Sequence, residues 1–224
     1  MRVSVFSSIA VFSIFAAGVL AFAAIAFAGV SEGKGIFDSK NCGGCHQIQG
    51  PAKEKTIEDM LTKKAPELWY AGSKFRKEFL EKWLKDPKPI RPMEFYSLTK
   101  KNGANHAKLD AKAAKDVSDY LMSLKSSDVK AANIQPKSGP QGRVVFEKKQ
   151  GCYGCHEVKK GAGVVGGLTG PTLVGAGDRL NPDWIYAYLT NPKVFKPVKD
   201  MPVYTGALSD SELKNLAEFV AGLK

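Results

Sequence analysis

Cysteine and histidine are scarce in this chain of 224 residues, which contains four cysteines and three histidines. All four cysteines lie in two short motifs, CGGCH at residues 42–46 and CYGCH at residues 152–156. No cysteine is therefore left over for a disulfide or for a catalytic nucleophile. Only one histidine, His106, lies outside the motifs, so the sequence offers no cluster of histidines for acid–base catalysis.

Both motifs have the pattern CxxCH, which is the attachment signature of c-type haem. In such a site the two thiols bond to the haem vinyl groups and the histidine binds the iron from the proximal side. The competing interpretation is a structural zinc site, because two CxxC pairs could supply four thiolates to one metal. That interpretation leaves the histidine of each motif unexplained. The sequence therefore predicts two covalently bound haem c groups, held by Cys42, Cys45, His46, Cys152, Cys155 and His156.

Acidic residues are outnumbered, with 22 Asp and Glu against 33 Lys and Arg, so the formal net charge is +11. Such a surface is often simply solvated, but it can also steer a protein toward an acidic partner or an anionic membrane. Nucleic acid is not a predicted partner, because the lysines are spread in pairs without a recognition motif. The candidate docking lysines are Lys148, Lys149, Lys159, Lys160, Lys196 and Lys199.

Residues 3–30 contain no charged side chain. One interpretation is a secretory signal that is cleaved after residues 26–28, whose sequence is AFA. The other is a retained membrane anchor, because the stretch exceeds the roughly 20 residues that span a bilayer. We therefore assign residues 1–30 to a signal peptide or an N-terminal hydrophobic helix. Both interpretations place the rest of the chain in the periplasm or another extracytoplasmic space, either soluble or anchored at the membrane.

The two halves of the chain align well beyond the motifs. Residues 65–84 align with residues 170–189 without a gap, and residues 109–125 align with residues 208–224 in the same way. The stretch between the halves is rich in Ser, Lys, Pro and Gly, which is typical of a linker. The sequence thus predicts two homologous domains and a linker, at residues 31–125, 139–224 and 126–138.

Each half is predicted to consist of helices separated by loops. Apolar residues recur at helical spacing in the middle and closing stretches of both halves. Pro87 and Pro192 end the middle helices, and Ser209 with Glu212 forms a capping box that opens the last helix. Residues 161–166 match the GxGxxG pattern of dinucleotide sites, which requires a strand before it and a helix after it. Because this copy directly follows CxxCH, we reject a nucleotide site here.

The order of features in each half resembles a class I cytochrome c: a helix leading into CxxCH, a Pro-x-Leu segment, a middle helix, a methionine loop and a closing helix. The resemblance covers nearly all of residues 31–224 and implies an all-α fold in which each domain wraps around one covalent haem. It implies that Pro171, and by internal alignment Pro66, accepts a hydrogen bond from the proximal imidazole, whereas Pro51 has no such counterpart. It also implies aromatic packing of Phe37 on Tyr120 and of Phe146 on Phe219.

The resemblance further implies that each iron is bound between a histidine and a methionine. Met201 lies in a segment that resembles the family's methionine loop, 45 residues after His156. Met93 lies in the corresponding loop of the first half, but a proline precedes it, and the loop that follows is nine residues longer and contains His106. We favour Met93, with His106 or an open iron position as alternatives. The predicted iron ligands are His46, Met93, His156 and Met201.

The function implied is single-electron transfer in a periplasmic or membrane-associated respiratory chain, as a shuttle or as the haem subunit of a larger complex, rather than catalysis. The expected partners are a quinol-oxidising complex, a terminal oxidase or a periplasmic reductase, with acidic docking faces, and residues 3–30 allow association with a membrane. The alternative is a di-haem enzyme, a peroxidase or a sulfur-compound oxidoreductase, with a first haem whose iron can open.

Overall fold

The computed structural model describes residues 29–94, 97, 99–198 and 201–224. The predicted signal peptide or anchor at residues 1–30 therefore lies almost entirely outside the described residues. Within these ranges, no helix is both long enough and apolar enough to cross a bilayer.

The described residues of the first half form mainly short helices. A helix over residues 29–39 (α1) leads into a 3-10 turn at Cys42–Gly44. The later helices are α2 (Ile57–Leu61), α3 (Ala71–Lys74), α4 (Lys77–Lys85) and α5 (Ala111–Ser123). Asp110 fixes the start of α5, because its side chain accepts a hydrogen bond from the backbone N–H of Ala113 at 2.9 Å. The middle helix α4 ends before Pro87, as predicted.

The second half repeats this order. Helix α6 (Pro140–Val144) continues as a π-helical turn (Val145–Lys149) and leads into the 3-10 turn Cys152–Gly154. The predicted capping box of Ser209 and Glu212 is present at the start of the last helix. The remaining helices are α7 (Ala176–Arg179), α8 (Pro182–Thr190), α9 (Pro192–Phe195) and α10 (Asp210–Ala221).

The fold is mostly helical, and the prediction of an all-α chain needs one correction. Strands β1 (Val158–Lys160) and β2 (Gly163–Val165) pair in antiparallel register, with Val158 opposite Val165. Valine favours extended backbone, and Gly161 supplies the left-handed turn with φ of 60°. The GxGxxG pattern is thus the turn and second strand of a hairpin.

In each half the first helix crosses the closing helix, and an aromatic pair marks the crossing. The rings of Phe37 and Tyr120 have centroids 5.5 Å apart, and those of Phe146 and Phe219 are 5.4 Å apart. The two aromatic contacts implied by the family resemblance are therefore confirmed. All four rings are at least nine-tenths buried, so each pair lies in the core of its half.

A glycine one turn before each phenylalanine lets the two helices touch backbone to backbone. A Cβ added to Gly33 would lie 1.9 Å from the carbonyl oxygen of Asp116, and one added to Gly142 would lie 2.2 Å from that of Asn215. In both halves the glycine lies four residues before the phenylalanine, and this repeated spacing is the sequence signal for these contacts, which was not among the predictions.

The two halves meet around an approximate two-fold axis. Phe75 and Leu180, which occupy equivalent positions in the internal alignment, pair in an isolated antiparallel bridge. Two backbone hydrogen bonds flank the bridge, from Arg76 N–H to the carbonyl of Arg179 (3.0 Å) and from Asn181 N–H to the carbonyl of Lys74 (2.8 Å). Because the internal alignment pairs Arg76 with Asn181 and Lys74 with Arg179, the two bonds are equivalent to each other, and the same surface of each half forms the contact.

The halves also share a hydrophobic core. Tyr70 of the first half is fully buried among residues of the second, with its ring 5.0 Å from that of Phe195 and 6.2 Å from that of Trp184. The predicted linker contains no helix or strand, yet Ile134 is buried and its N–H donates to the Asp183 carboxylate at 3.0 Å. The two halves are therefore packed against each other rather than loosely tethered.

The helix crossing predicts opposite effects for two alanine substitutions in α1. Gly33→Ala should lower the free energy of unfolding by about 2 kcal/mol, because the new methyl group forces the helices apart. Gly35→Ala, where nothing lies within 4 Å of the added Cβ, should raise it by about 0.5 kcal/mol through helix propensity. Urea unfolding followed by far-UV circular dichroism measures both, and equal effects would contradict the proposed crossing.

Candidate haem sites

Each CxxCH motif folds into one tight turn that ends at its histidine. In the first motif, the backbone N–H groups of Cys45 and His46 both donate to the carbonyl of Cys42, at 3.1 and 3.0 Å. The second motif repeats these bonds at 3.2 and 3.1 Å. The residue before each motif, Asn41 or Gly151, is left-handed, with φ of 53° and 58°. Asparagine and glycine are the residues that adopt this conformation most readily, which explains their use here.

Each motif histidine is oriented by a proline carbonyl. Nδ1 of His46 lies 2.7 Å from the carbonyl oxygen of Pro66, and Nδ1 of His156 lies 2.7 Å from that of Pro171. Both hydrogen bonds match the prediction, and the carbonyl of Pro51 accepts from a glutamine amide instead. Because a carbonyl can only accept, Nδ1 carries the proton and the lone pair stays on Nε2, the nitrogen that can bind a metal.

A second hydrogen bond fixes each proline segment beside its histidine. The N–H of Leu68 donates to the carbonyl of Gln47, and the N–H of Leu173 donates to the carbonyl of Glu157, both at 2.8 Å. In each half the acceptor is the residue that directly follows the histidine. In each Pro-x-Leu segment, the proline carbonyl thus accepts a hydrogen bond from the imidazole, and the leucine N–H donates to the carbonyl of the residue after the histidine.

The thiols are free to bond to a cofactor, and one of them is unsuited to nucleophilic catalysis. All four cysteines are free, with Cys45 and Cys155 exposed. Burial raises the pKa of Cys152 to about 11, so this thiol is protonated at neutral pH and is a poor nucleophile. Burial also lowers the pKa of His46, which keeps its ring neutral and able to bind a metal. Among the described residues, no three His, Cys, Asp or Glu side chains converge on a metal position, so the two CxxC pairs do not form one zinc site.

The surroundings also fit a cofactor that carries carboxylates, as haem does. The indole Nε1 atoms of Trp69 and Trp184 are buried donors without a hydrogen-bond partner in the described part of the chain. Burial and nearby Lys196 lower the pKa of Lys74 to about 7, and its ammonium lies 4.8 Å from the centre of the Trp184 ring. Lys74 is partly buried, and Arg179 is 5 % exposed but donates to the carbonyls of Thr172 and Val174. Unpartnered buried donors are costly, and carboxylates such as the haem propionates would accept from the two indoles.

The predicted distal ligands lie in different settings. Met201 is partly buried and packs against the core of the second half. Met93 is only 7 % exposed and pairs with Lys101 in an isolated bridge. His106, the less favoured alternative, is exposed, and its ring centroid lies 6.2 Å from that of His46. The structure therefore brings together two histidines that are 60 residues apart in sequence.

Of the candidate docking lysines, Lys148 and Lys149 lie exposed on the π-helical turn, where Lys149 pairs with Glu212 at 2.5 Å. Lys159 and Lys160 lie exposed on β1. The prediction for Lys196 is wrong, because its side chain is 17 % exposed and pairs with Glu67 of the first half at 3.0 Å. The sequence contains no local signal for this contact, which depends on how the halves meet. Lys199 lies outside the described residues.

Comparison with known families agrees with this geometry. Residues 30–125 match the family described as cytochrome c, and residues 138–220 match the family described as cytochrome c oxidase, cbb3-type, subunit III. The chain is a tandem of class I c-type cytochrome domains. Domains of this family carry covalently bound haem c, transfer electrons and are typically extracytoplasmic.

Individual relatives add little to the family assignment. A search of curated protein sequences gave no match. Among solved structures, the cytochrome is similar to a chain of the reducing HAO-like protein complex of Kuenenia stuttgartiensis, with 18 % identity over 86 % of this chain and 96 % of that chain. The TM-score of 0.33 is too low to establish a shared arrangement of domains.

Glu67 links the first haem site to the domain interface. It follows Pro66 directly, is only 2 % exposed, and forms ion pairs with Lys63 and Lys196. Burial alone would raise the pKa of this carboxyl group, but the two lysines outweigh burial and lower the pKa to about 2. Glu67 is therefore ionised over the whole physiological pH range.

Replacing Glu67→Gln should lower the free energy of unfolding at pH 7 by about 3 kcal/mol, because the buried carboxylate pairs with two largely buried lysines, of which Lys63 keeps only its ion pair with Glu54. The folded-state pKa of about 2 lies below the ordinary value of 4.5, so the ionised carboxylate stabilises the fold above pH 4.5. The difference between the variant and the wild type should shrink as the pH falls toward 2. Urea unfolding at pH 7 and pH 3 measures this, with Glu147→Gln, at an exposed position, as the control. A difference independent of pH would contradict the ion pairs.

Proposed function

We propose that this cytochrome holds two haem c groups and carries single electrons between redox partners outside the cytoplasm. The observation that carries the proposal is made twice: a pair of free cysteines in a tight turn, followed by an imidazole that donates Nδ1–H to a proline carbonyl at 2.7 Å. We take residues 31–125 and 139–224 as the two haem domains and residues 126–138 as their connection.

The chain's own residues do the holding and orienting. The thiols of each motif would attach the group, and Nε2 of His46 and of His156 would bind the irons. Met201 is the proposed distal ligand of the second site, and the distal ligand of the first is argued below. Haem, when bound, supplies a reversible one-electron couple between Fe(II) and Fe(III). The proline carbonyls keep each imidazole in one tautomer and one orientation, which limits structural change between the two oxidation states.

The scarcity of histidines and of uncommitted thiols favours a carrier over an enzyme. A haem enzyme needs an iron position that opens and an acid–base group beside it. The four thiols are committed to attachment, and His106 is the only histidine outside the motifs. His106 cannot serve as an iron ligand and as an acid–base group at the same time.

The similarity of the second domain to an oxidase subunit family supports a place in a membrane-associated respiratory chain. The cytochrome would act there as a shuttle or as a haem subunit, with a quinol-oxidising complex, a terminal oxidase or a periplasmic reductase as partner. A signal peptide or anchor within residues 1–30 would bring it to that compartment. The net charge of +11 favours acidic docking faces on these partners, and the exposed Lys159 and Lys160 are the proposed contacts.

The full-length protein, produced in a host that attaches c-type haem, should contain two covalent haems per chain by intact mass and by the pyridine haemochrome assay. The double substitution Cys152→Ala and Cys155→Ala should leave one, and so should Cys42→Ala with Cys45→Ala. Each haem should be reduced and reoxidised reversibly without turnover of peroxide. One haem or none in the wild type would refute the proposal, and steady peroxide turnover would favour the enzyme instead.

A further inference from the structure

We infer that His106, rather than Met93, is the distal iron ligand in the first domain. The inference rests on the proposed function, since it requires that this domain holds a haem. The first iron would then be bound by two histidines, and only the second by a histidine and a methionine.

The distance between the His46 and His106 rings supports this assignment. A metal–imidazole bond is about 2.0 Å long, and a ring nitrogen lies about 1.1 Å from the centre of its ring. Two imidazoles on opposite sides of one metal ion therefore have centroids about 6.3 Å apart. The centroids of His46 and His106 are 6.2 Å apart, with an angle of 57° between the ring planes. This separation matches that of two imidazole ligands on one metal.

The hydrogen bonding of His106 also suits an iron ligand. Its Nδ1 lies 2.9 Å from the backbone carbonyl of Ala107, just as Nδ1 of His46 lies 2.7 Å from that of Pro66. Each carbonyl holds the proton on Nδ1 and leaves the lone pair on Nε2. In the described ranges of the chain, neither Nε2 makes a hydrogen bond. Histidines that bind metals characteristically donate their other ring N–H in this way.

Contacts within the inserted loop and with Trp83 fix the position of His106. Asn102 anchors its start, with Nδ2 donating to the carbonyl of Arg91 at 3.1 Å. Ala104 is left-handed, with φ of 57°, and its carbonyl accepts a hydrogen bond from the N–H of His106 at 2.9 Å. A left-handed alanine is strained, and such strain concentrates at functional sites. The Trp83 ring packs edge-on against the His106 ring, with centroids 4.6 Å apart.

The competing ligand has a less suitable setting. Protein atoms already cover Met93, which is 7 % exposed, and its backbone is paired with Lys101. The second domain lacks the nine inserted residues and has no histidine at the corresponding place. Met201, partly buried beside its own core, keeps the family's role there. The two sites thus differ because the first loop is longer.

The test uses the near-infrared band that ferric haem shows only with a methionine ligand, measured per haem on the full-length protein. The wild type should give the intensity of one methionine-ligated haem for every two haems. Met93→Leu, which conserves volume, should leave this intensity unchanged, whereas Met201→Leu should abolish it. His106→Met should double it. Far-UV circular dichroism and the haem count serve as folding controls for each variant.

A rescue experiment supplies an independent readout. His106→Gly should open the first iron, and added imidazole should bind there and restore the wild-type visible spectrum. Gly103→Ala, in the same loop, should leave spectrum and band unchanged. Intensity for two methionine-ligated haems, halved in Met93→Leu, would overturn the inference, and so would a wild-type first iron that already binds added imidazole. A haem count below two would instead refute the proposed function, so the two failures are distinguishable.

Discussion

The hydrogen bond from each motif histidine to a proline carbonyl is the constraint on which the rest of the structure depends. It fixes which nitrogen of the imidazole can bind iron, and it requires the proline segment to lie against the CxxCH turn. In the first domain the same segment continues from Pro66 through the buried Glu67 to the bridge at Phe75. Orientation of the iron ligand and contact between the domains are therefore properties of one short stretch of chain.

The interface makes the two domains a single unit. Equivalent positions, Phe75 and Leu180, pair at its centre, while Tyr70 and Glu67 extend from the first domain into the second. Such packing would hold the two proposed haem sites in one relative arrangement, which would suit electron transfer between them.

The repeats have diverged where their sites differ. The second domain carries a hairpin after its motif, whereas the first carries α2 and a longer loop that presents His106. A thioether is a soft ligand that favours Fe(II), and replacing it with imidazole lowers the reduction potential. Two haems with different distal ligands would give the electron a preferred resting site in the second domain.

The features that could be predicted from the sequence are local or repeated. CxxCH, Pro-x-Leu and the capping box at Ser209 act within a few residues, and the alignment of the halves transferred Pro171 to Pro66. What the sequence could not predict depends on contacts between distant segments. The pairing of Lys196 with Glu67 requires the domain arrangement, and the approach of His106 to His46 requires the course of an inserted loop. The hairpin was missed because its valines are few and glycine surrounds them.

The most direct test of two unequal haems is a potentiometric titration of the full-length protein followed by visible absorption. We expect two one-electron steps at distinct potentials, and the lower step should disappear when Cys42→Ala and Cys45→Ala remove the first haem. Two steps at the same high potential, or a lower step that persists in that variant, would contradict it.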